Sequence, residues 1–309
     1  MIRLFFIVLL LVVLAVAQKP ERSMLWNALY EAGHVPLFGG IAWLARGMLA
    51  ARRPAWAGWR TSLAAFGVAV ATGATTELAQ AFAPHRDAAW SDLARNVAGA
   101  SAALLLWHAW ASRAARGRGA RRRGAWLAAA GVALLAVALL DLADTVGVLA
   151  QRARAMPTIV AFDGSRWERR LLLSGRNRLT PVGQSPGAPP GLARLDLRPS
   201  LYSGLTITEP YPDWRGRSAL VFEVGSGLDR PLQLTVRIHD ARHDNRYRDR
   251  FNRAYEIEPG TQTIRIALDE VRVAPDRREM DMGRIRGVAF FVHRLEAPAH
   301  LFIGPMRLE

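Results

Sequence analysis

The sequence predicts a multi-domain chain, an N-terminal α-helical transmembrane bundle of about five spans followed by a C-terminal all-β sandwich. Three observations predict it. Charge is uneven along the 309 residues: residues 1–150 hold 15 Lys or Arg and 7 Asp or Glu, which leaves 26 and 19 of the totals of 41 and 26 for the remainder. Long apolar runs fill the charge-poor half, whereas short alternating segments divided by turn residues fill the other. Arginines also cluster between the apolar runs, as they do in cytoplasmic loops of membrane proteins. Both halves are apolar enough to exclude general disorder. The absence of cysteine excludes a disulfide scaffold, a thiolate metal site and a Cys nucleophile.

The apolar segments run over about 2–17, 27–49, 61–82, 97–112 and 126–149. A helix of ~20 residues crosses ~30 Å of hydrocarbon, and lipid forces such segments to be helical. The first segment, from Met1-Ile-Arg3 to Ala15-Val-Ala17, fits either a retained helix or a cleaved signal peptide. Arg46, Arg52, Arg53 and Arg60 lie between the second and third segments, and Arg113–Arg123 between the fourth and fifth. Placing both groups in the cytoplasm puts residues 151–309 outside the cytoplasmic (inner) membrane. The organisation expected is a membrane domain over 1–112, a basic cytoplasmic loop with a fifth helix over 113–150, and an extracytoplasmic β domain over 156–309. The net charge of +15 is thereby read as a topology signal, and nucleic acid is not an expected partner.

Ionisable groups inside a membrane are costly and point to function. Glu31 and His34 are three apart, Glu77 and Gln80 repeat that spacing, and Asp92 and Asn96 are four apart, with Arg86 in the connection between. The expected topology puts them at one depth, so they either pin helices together or form a site. Two chemistries suit such a site. Arg86 and His34 can hold the phosphate or sugar headgroup of an envelope lipid, with Glu77 and Asp92 orienting them. Alternatively, His34 and Glu77 can act as a general acid/base pair of a hydrolase or transferase. No nucleophile motif, HExxH or phosphate-cradling loop supports the second, and no cofactor or metal is expected. Asp141 and Asp144 either join this cluster or mark a helix end. His108, beside Trp107 and Trp110, reads as an interfacial belt residue.

The ordered set His34, Pro36 and Phe38, then Glu77-Leu-Ala-Gln80, Pro84-His-Arg86, Ser91-Asp92 and Asn96-Val-Ala-Gly99 resembles the VanZ-like family over about residues 1–112. That resemblance implies a small helical membrane bundle and a link to resistance against a lipid-tailed glycopeptide antibiotic. The family usually carries Asp-Lys shortly before the His. Tyr30-Glu31 stands there in this chain, so no lysine role transfers.

From Met156 onward, Ser218–Val224, Gln233–His239, Thr263–Ala267, Val288–His293 and Leu301–Leu308 alternate or are compactly apolar. Gly225-Ser-Gly227, Pro259-Gly260 and Pro298 punctuate them, which argues for an antiparallel sandwich. The proline- and glycine-rich stretch 180–192 reads as a loop. The run Trp214–Glu309 resembles a galactose-binding-like jelly roll of the carbohydrate-binding-module type. The resemblance rests on the strand order, His239-Asp240, Tyr247-Arg-Asp249-Arg250-Phe251-Asn252, Asp281 and the closing Leu301–Leu308 segment. It implies binding of a surface polysaccharide or lipid-linked glycan. Gly304-Pro305 stand where related modules often carry acidic residues, so no structural calcium is expected. Asp244, Asn245, Tyr247, Asp249, Arg250 and Asn252 offer hydrogen-bonding groups and an aromatic face for a sugar, or simply make a solvated loop tied by internal salt bridges. Trp214 is a second candidate sugar platform, or ordinary core. The net charge of the second half, +7, favours acidic glycans or anionic lipid headgroups.

Overall fold

The computed structural model describes residues 23–81, 90–114, 117–185 and 187–309, with backbone alone for 79–81. The chain divides into two compact units, Met1–Val146 and Gly147–Glu309. The segment read as a first span, about 2–17, lies outside the described residues.

In the first unit, α1 (Met24–Arg52), α2 (Gly58–Ala81), α3 (Trp90–Ala111) and α4 (Arg118–Ala138) form a bundle. Ser23 caps α1, its Oγ accepting from Trp26 N at 3.1 Å. Phe38, Ile41, Ala42, Ala65, Ala69, Ala100 and Leu104 make its small core. Helices α1 and α3 approach closely at Gly99, where a Cβ would stand 2.2 Å from the Val35 carbonyl oxygen. Only glycine fits there.

The expectation of a five-span transmembrane bundle is corrected here. None of the described helices is by itself long and apolar enough to cross a membrane. Segment length misled the reading, because the runs are rich in weakly apolar and polar residues. Helix α2, for example, carries Thr61, Ser62, Thr72, Thr75, Thr76 and Glu77 among its alanines and glycines. Leu, Ile, Phe and Val each gain only about 0.3–0.6 kcal/mol on insertion, so such dilution removes the drive. The segment read as a fifth span is broken: α4 and α5 (Leu140–Ala155) meet at a 51° bend and satisfy length and composition only as a pair. The arginines read as loop charges are also largely helical. Arg46 and Arg52 belong to α1, Arg60 to α2, and Arg118, Arg121, Arg122 and Arg123 to α4.

The second unit is a sandwich of two antiparallel sheets. One has seven strands in the order β1 (Thr158–Val160), β12 (Met306–Leu308), β6 (Ala219–Ser226), β11 (Ala299–Ile303), β4 (Ala193–Leu197) and β3 (Arg178–Thr180), with β9 (Gly260–Ala267) also on β6. The other runs β2 (Leu172–Leu173), β5 (Ser200–Thr208), β10 (Ile285–Leu295), β7 (Leu232–Asp240) and β8 (Phe251–Ile257). Leu195, Phe222, Val224, Ile266 and Ile303 of the first sheet share one core with Leu205, Ile207, Val236, Ile238, Val288 and Phe290 of the second. The closing segment makes two strands because Gly304-Pro305 interrupts the ladder, proline having no N–H to give. Two short helices, α6 (Arg166–Leu171) and α7 (Leu268–Arg272), lie where no helical period is legible. Within α6, Glu168 is fully buried and accepts from Ala161 N (2.5 Å) and Phe162 N (3.0 Å). It thereby holds the left-handed turn at Phe162, whose φ is 56°.

Candidate functional site

The structure brings part of the polar set of the helical unit together. His34 and Asn96, both buried, share a 2.9 Å hydrogen bond between Nδ1 and Oδ1, which ties α1 to α3. The His34 ring also lies parallel to Phe38 at 6.2 Å. Asp92 accepts from Arg95 at 2.8 Å, and Arg95 reaches Glu31 at 2.6 Å, a triad that again joins α1 to α3. Arg95 carries this triad and was legible only as a charge near Asp92. Glu77 is buried on α2. The Gln80 side chain and Arg86 lie outside the described residues. At the other end of the bundle, Arg46 donates to Ser62 Oγ (3.0 Å), which also bonds His108 Nε2 (2.9 Å), and the guanidinium covers the Trp107 ring. His108 is thus a bundle contact. The His34–Asn96, Arg95–Glu31, Arg46–Ser62 and Ser62–His108 contacts cross between helices, as staples do.

In the sandwich, the 241–250 loop is organised by one arginine. Arg278 donates to both oxygens of Asp240 (2.5 and 2.8 Å) and both of Asp249 (2.7 and 3.1 Å). Burial alone would raise the Asp240 carboxyl, but the Arg278 and Asp281 N–H bonds outweigh it and hold it below the usual carboxylate range. The same arginine holds Asp249 well below that range. Asp249 further accepts from Asp244 N at 2.9 Å, and Asn245 takes a left-handed conformation with φ 68°. His243, Asp244 and Asp249 bring ligand atoms within 4.8 Å of one another. Arg278 already engages both Asp249 oxygens, so that trio fits a cation poorly. Trp214 is 1% exposed within the core, with its Nε1 donating to Tyr211 O (2.8 Å), and presents no free ring face.

A concave feature lies on the outer face of the five-stranded sheet. Strand β5 sends Ser203, Leu205 and Ile207 inward, which turns Tyr202, Gly204 and Thr206 outward. Register then sets their neighbours. His293 stands opposite Tyr202, Phe291 opposite Gly204 and Ala289 opposite Thr206. On the next strands Arg237 pairs with Ala289, and Asn252 with Arg237. Gly204 is required, since a Cβ there would meet the Phe291 Cβ at 2.6 Å. Tyr202, 61% exposed, stands edge-on to Phe291 (5.4 Å, 83°) and lies 5.2 Å from the His293 ring.

The resulting cleft measures about 600 Å³ and is walled by residues 173–177 and 198–200. Asn177 fastens that wall: its Nδ2 donates to Gly204 O (2.7 Å), and its Oδ1 accepts from Arg198 N (2.9 Å) and Ser203 Oγ (3.0 Å). Arg176, Arg198, Arg237 and Arg250 line the cleft, and among the described residues no carboxylate does. Burial, then the neighbouring Arg250, lowers the Arg237 guanidinium. Burial also takes the adjacent His239 down to about 4. Among the described residues, Arg237 Nε, Arg250 Nε, His239 Nδ1 and Asn252 Oδ1 are buried without a hydrogen-bond partner. Of the loop residues singled out from the sequence, Arg250 lines this cleft, Asn252 pairs beside Arg237, and exposed Tyr247 sits 5.5 Å from the Arg250 guanidinium. Asp244, Tyr247 and Asp249 line a second hollow of about 440 Å³ with Arg278. Tyr202, Phe291 and Arg237 escaped the sequence reading. Their signal is an arginine or aromatic at the outward positions of otherwise apolar strands.

No family model and no curated protein matches the chain, so the resemblance to VanZ-like proteins has no support there. Among solved structures it is similar to an exo-β-agarase (TM-score 0.37, 15% identity, 49% of this chain and 25% of that one). It is also similar to the family 11 carbohydrate-binding module of Clostridium thermocellum held with a β-1,3-1,4-mixed-linked tetrasaccharide (TM-score 0.34, 14% identity, 44% and 86%). A third likeness is to a family 29 carbohydrate-binding module of Piromyces equi (TM-score 0.30, 8% identity, 44% and 77%). The matched part of this chain spans about a quarter of the agarase's length.

Proposed function

We propose that the β unit is a glycan-binding module that takes a saccharide chain in the cleft on the outer face of its five-stranded sheet. The observation that carries this reading is the pairing of an exposed aromatic face with unmet hydrogen-bonding groups in one groove. A sugar ring presents an apolar C–H face and a rim of hydroxyls. Tyr202 and Phe291 suit the first, whereas Arg237 and Arg250 suit the second. Affinity electrophoresis of the full chain against mixed-linked glucan, xylan, polygalacturonate and chondroitin sulfate tests it. Retardation by at least one polymer is expected, and Tyr202→Ala weakens it about tenfold while leaving the thermal midpoint unchanged. Tyr202 is exposed, so its removal costs the fold little. Migration unaltered by every polymer refutes the reading.

On the same reading the β unit faces the outside of the cell, where such polymers lie. An epitope inserted at Gly260 is then reached by antibody on unpermeabilised cells. Labelling only after permeabilisation overturns that placement.

A further inference from the structure

We infer that the cleft selects an anionic saccharide, one bearing carboxylate or sulfate groups, with Arg237 and Arg250 as its anion subsite. The inference rests on the glycan-binding reading and adds the charge class of the ligand. Among the described residues, four arginines and no carboxylate line the groove. Several other arginines of the sandwich are answered by acids: Arg194 by Asp196, Arg215 by Asp213, Arg253 by Glu270, Arg265 by Glu309, Arg278 by Asp240 and Asp249, and Arg286 by Glu209. Among the described residues neither Arg237 nor Arg250 makes an ion pair. Each keeps a buried Nε–H with no acceptor. Two neighbouring guanidinium groups without a carboxylate, each with a buried N–H unmet, are costly unless an anion arrives.

The planar fork of arginine matches carboxylate and sulfate oxygens, and the exposed Arg176 and Arg198 extend the positive field along the groove. A neutral sugar accepts hydrogen bonds but leaves both charges uncompensated. The aromatic pair Tyr202 and Phe291 lies on the same floor, so one residue of a chain can stack while the acid group of that ring or its neighbour meets the arginines. A free anion has no use for the aromatic floor, which favours a charged saccharide over inorganic phosphate or sulfate.

The test uses matched polymers that differ only in charge: polygalacturonate against its carboxyl-reduced galactan, and dextran sulfate against dextran. Titration calorimetry with the full chain should show binding to at least one charged member at least tenfold tighter than to its neutral partner. Arg237→Gln and Arg250→Gln should each weaken that binding about tenfold with unchanged melting. Arg217→Gln, which removes a charge outside the cleft lining, should change it less than twofold. Tyr202→Ala should weaken binding to the charged polymer but not to sulfate ion. Equal affinity for charged and neutral members, lost in Tyr202→Ala, overturns the anionic selectivity and leaves the glycan reading standing. Binding insensitive to Arg237→Gln and Arg250→Gln, or equally sensitive to Arg217→Gln, overturns the subsite. No binding to any of the four polymers, with none in the electrophoresis panel, overturns both readings.

Discussion

Arg278→Gln is expected to lower the unfolding free energy of the sandwich by about 3–5 kcal/mol, the range for removing one partner of a buried ion pair. Asp240 is 1% exposed, and its carboxylate takes two of its hydrogen bonds from this guanidinium. The Asp281 and Arg242 N–H groups that remain satisfy hydrogen bonding but supply no charge. The variant leaves a buried carboxylate beside Asp249, which then loses its arginine and keeps only the Asp244 N–H and the neighbouring His243. Urea unfolding followed by circular dichroism measures the loss. The sign of its pH dependence follows from the direction of the shifts. Both carboxyls are held below their usual range in the folded protein. They therefore add stability above the ordinary carboxylate pKa, and that stability fades as pH falls through the depressed values. The gap between wild type and variant should narrow at acid pH. A loss below ~1 kcal/mol at pH 7 would show that the loop is not held by this arginine.

The second large effect is the reverse case, at Glu168. Burial comes first and the nearby Asp163 adds to it; together they push the carboxyl up to about 7, against the hydrogen bonds from Ala161 and Phe162. A carboxyl raised in the folded state binds its proton there while the unfolded chain has released it. This group's contribution is therefore complete below its ordinary pKa of 4.5 and lost as pH rises to about 7. At ~1.4 kcal/mol per unit, the loss is of the order of 3 kcal/mol. Glu168→Gln keeps an acceptor oxygen for the two N–H groups and removes the titration. His239 works the other way: held near 4, it adds stability above its usual 6.5 that is lost as pH falls. The wild type should therefore be nearly flat between pH 4.5 and 6.5, whereas Glu168→Gln should gain stability steadily across that interval. Parallel pH profiles of the two proteins would mean that Glu168 does not titrate in this range.

The sequence by itself determined the division into a charge-poor helical half and a patterned β half. Several strands with one buried face were legible, as at Leu234, Val236 and Ile238, because a period of two is a local property, although the short Ala193–Leu197 strand was not read. Strands Ser200–Thr208 and Phe251–Ile257 were missed, since their exposed polar ends blur the alternation. Apolar length was legible in the first half, but hydrophobic strength was overread, and charge clusters such as Arg118–Arg123 do not reveal that they are helical. The His34 and Asn96 spacings gave a face without a partner. Which helix answers them depends on the packing that Gly99 permits. The cleft was decided by tertiary structure alone. Tyr202 and Phe291 lie 89 positions apart, and Arg237 between them, so only the β5–β10–β7 register brings them to one face. Register comes from which strands share the core, a long-range choice that no local period encodes.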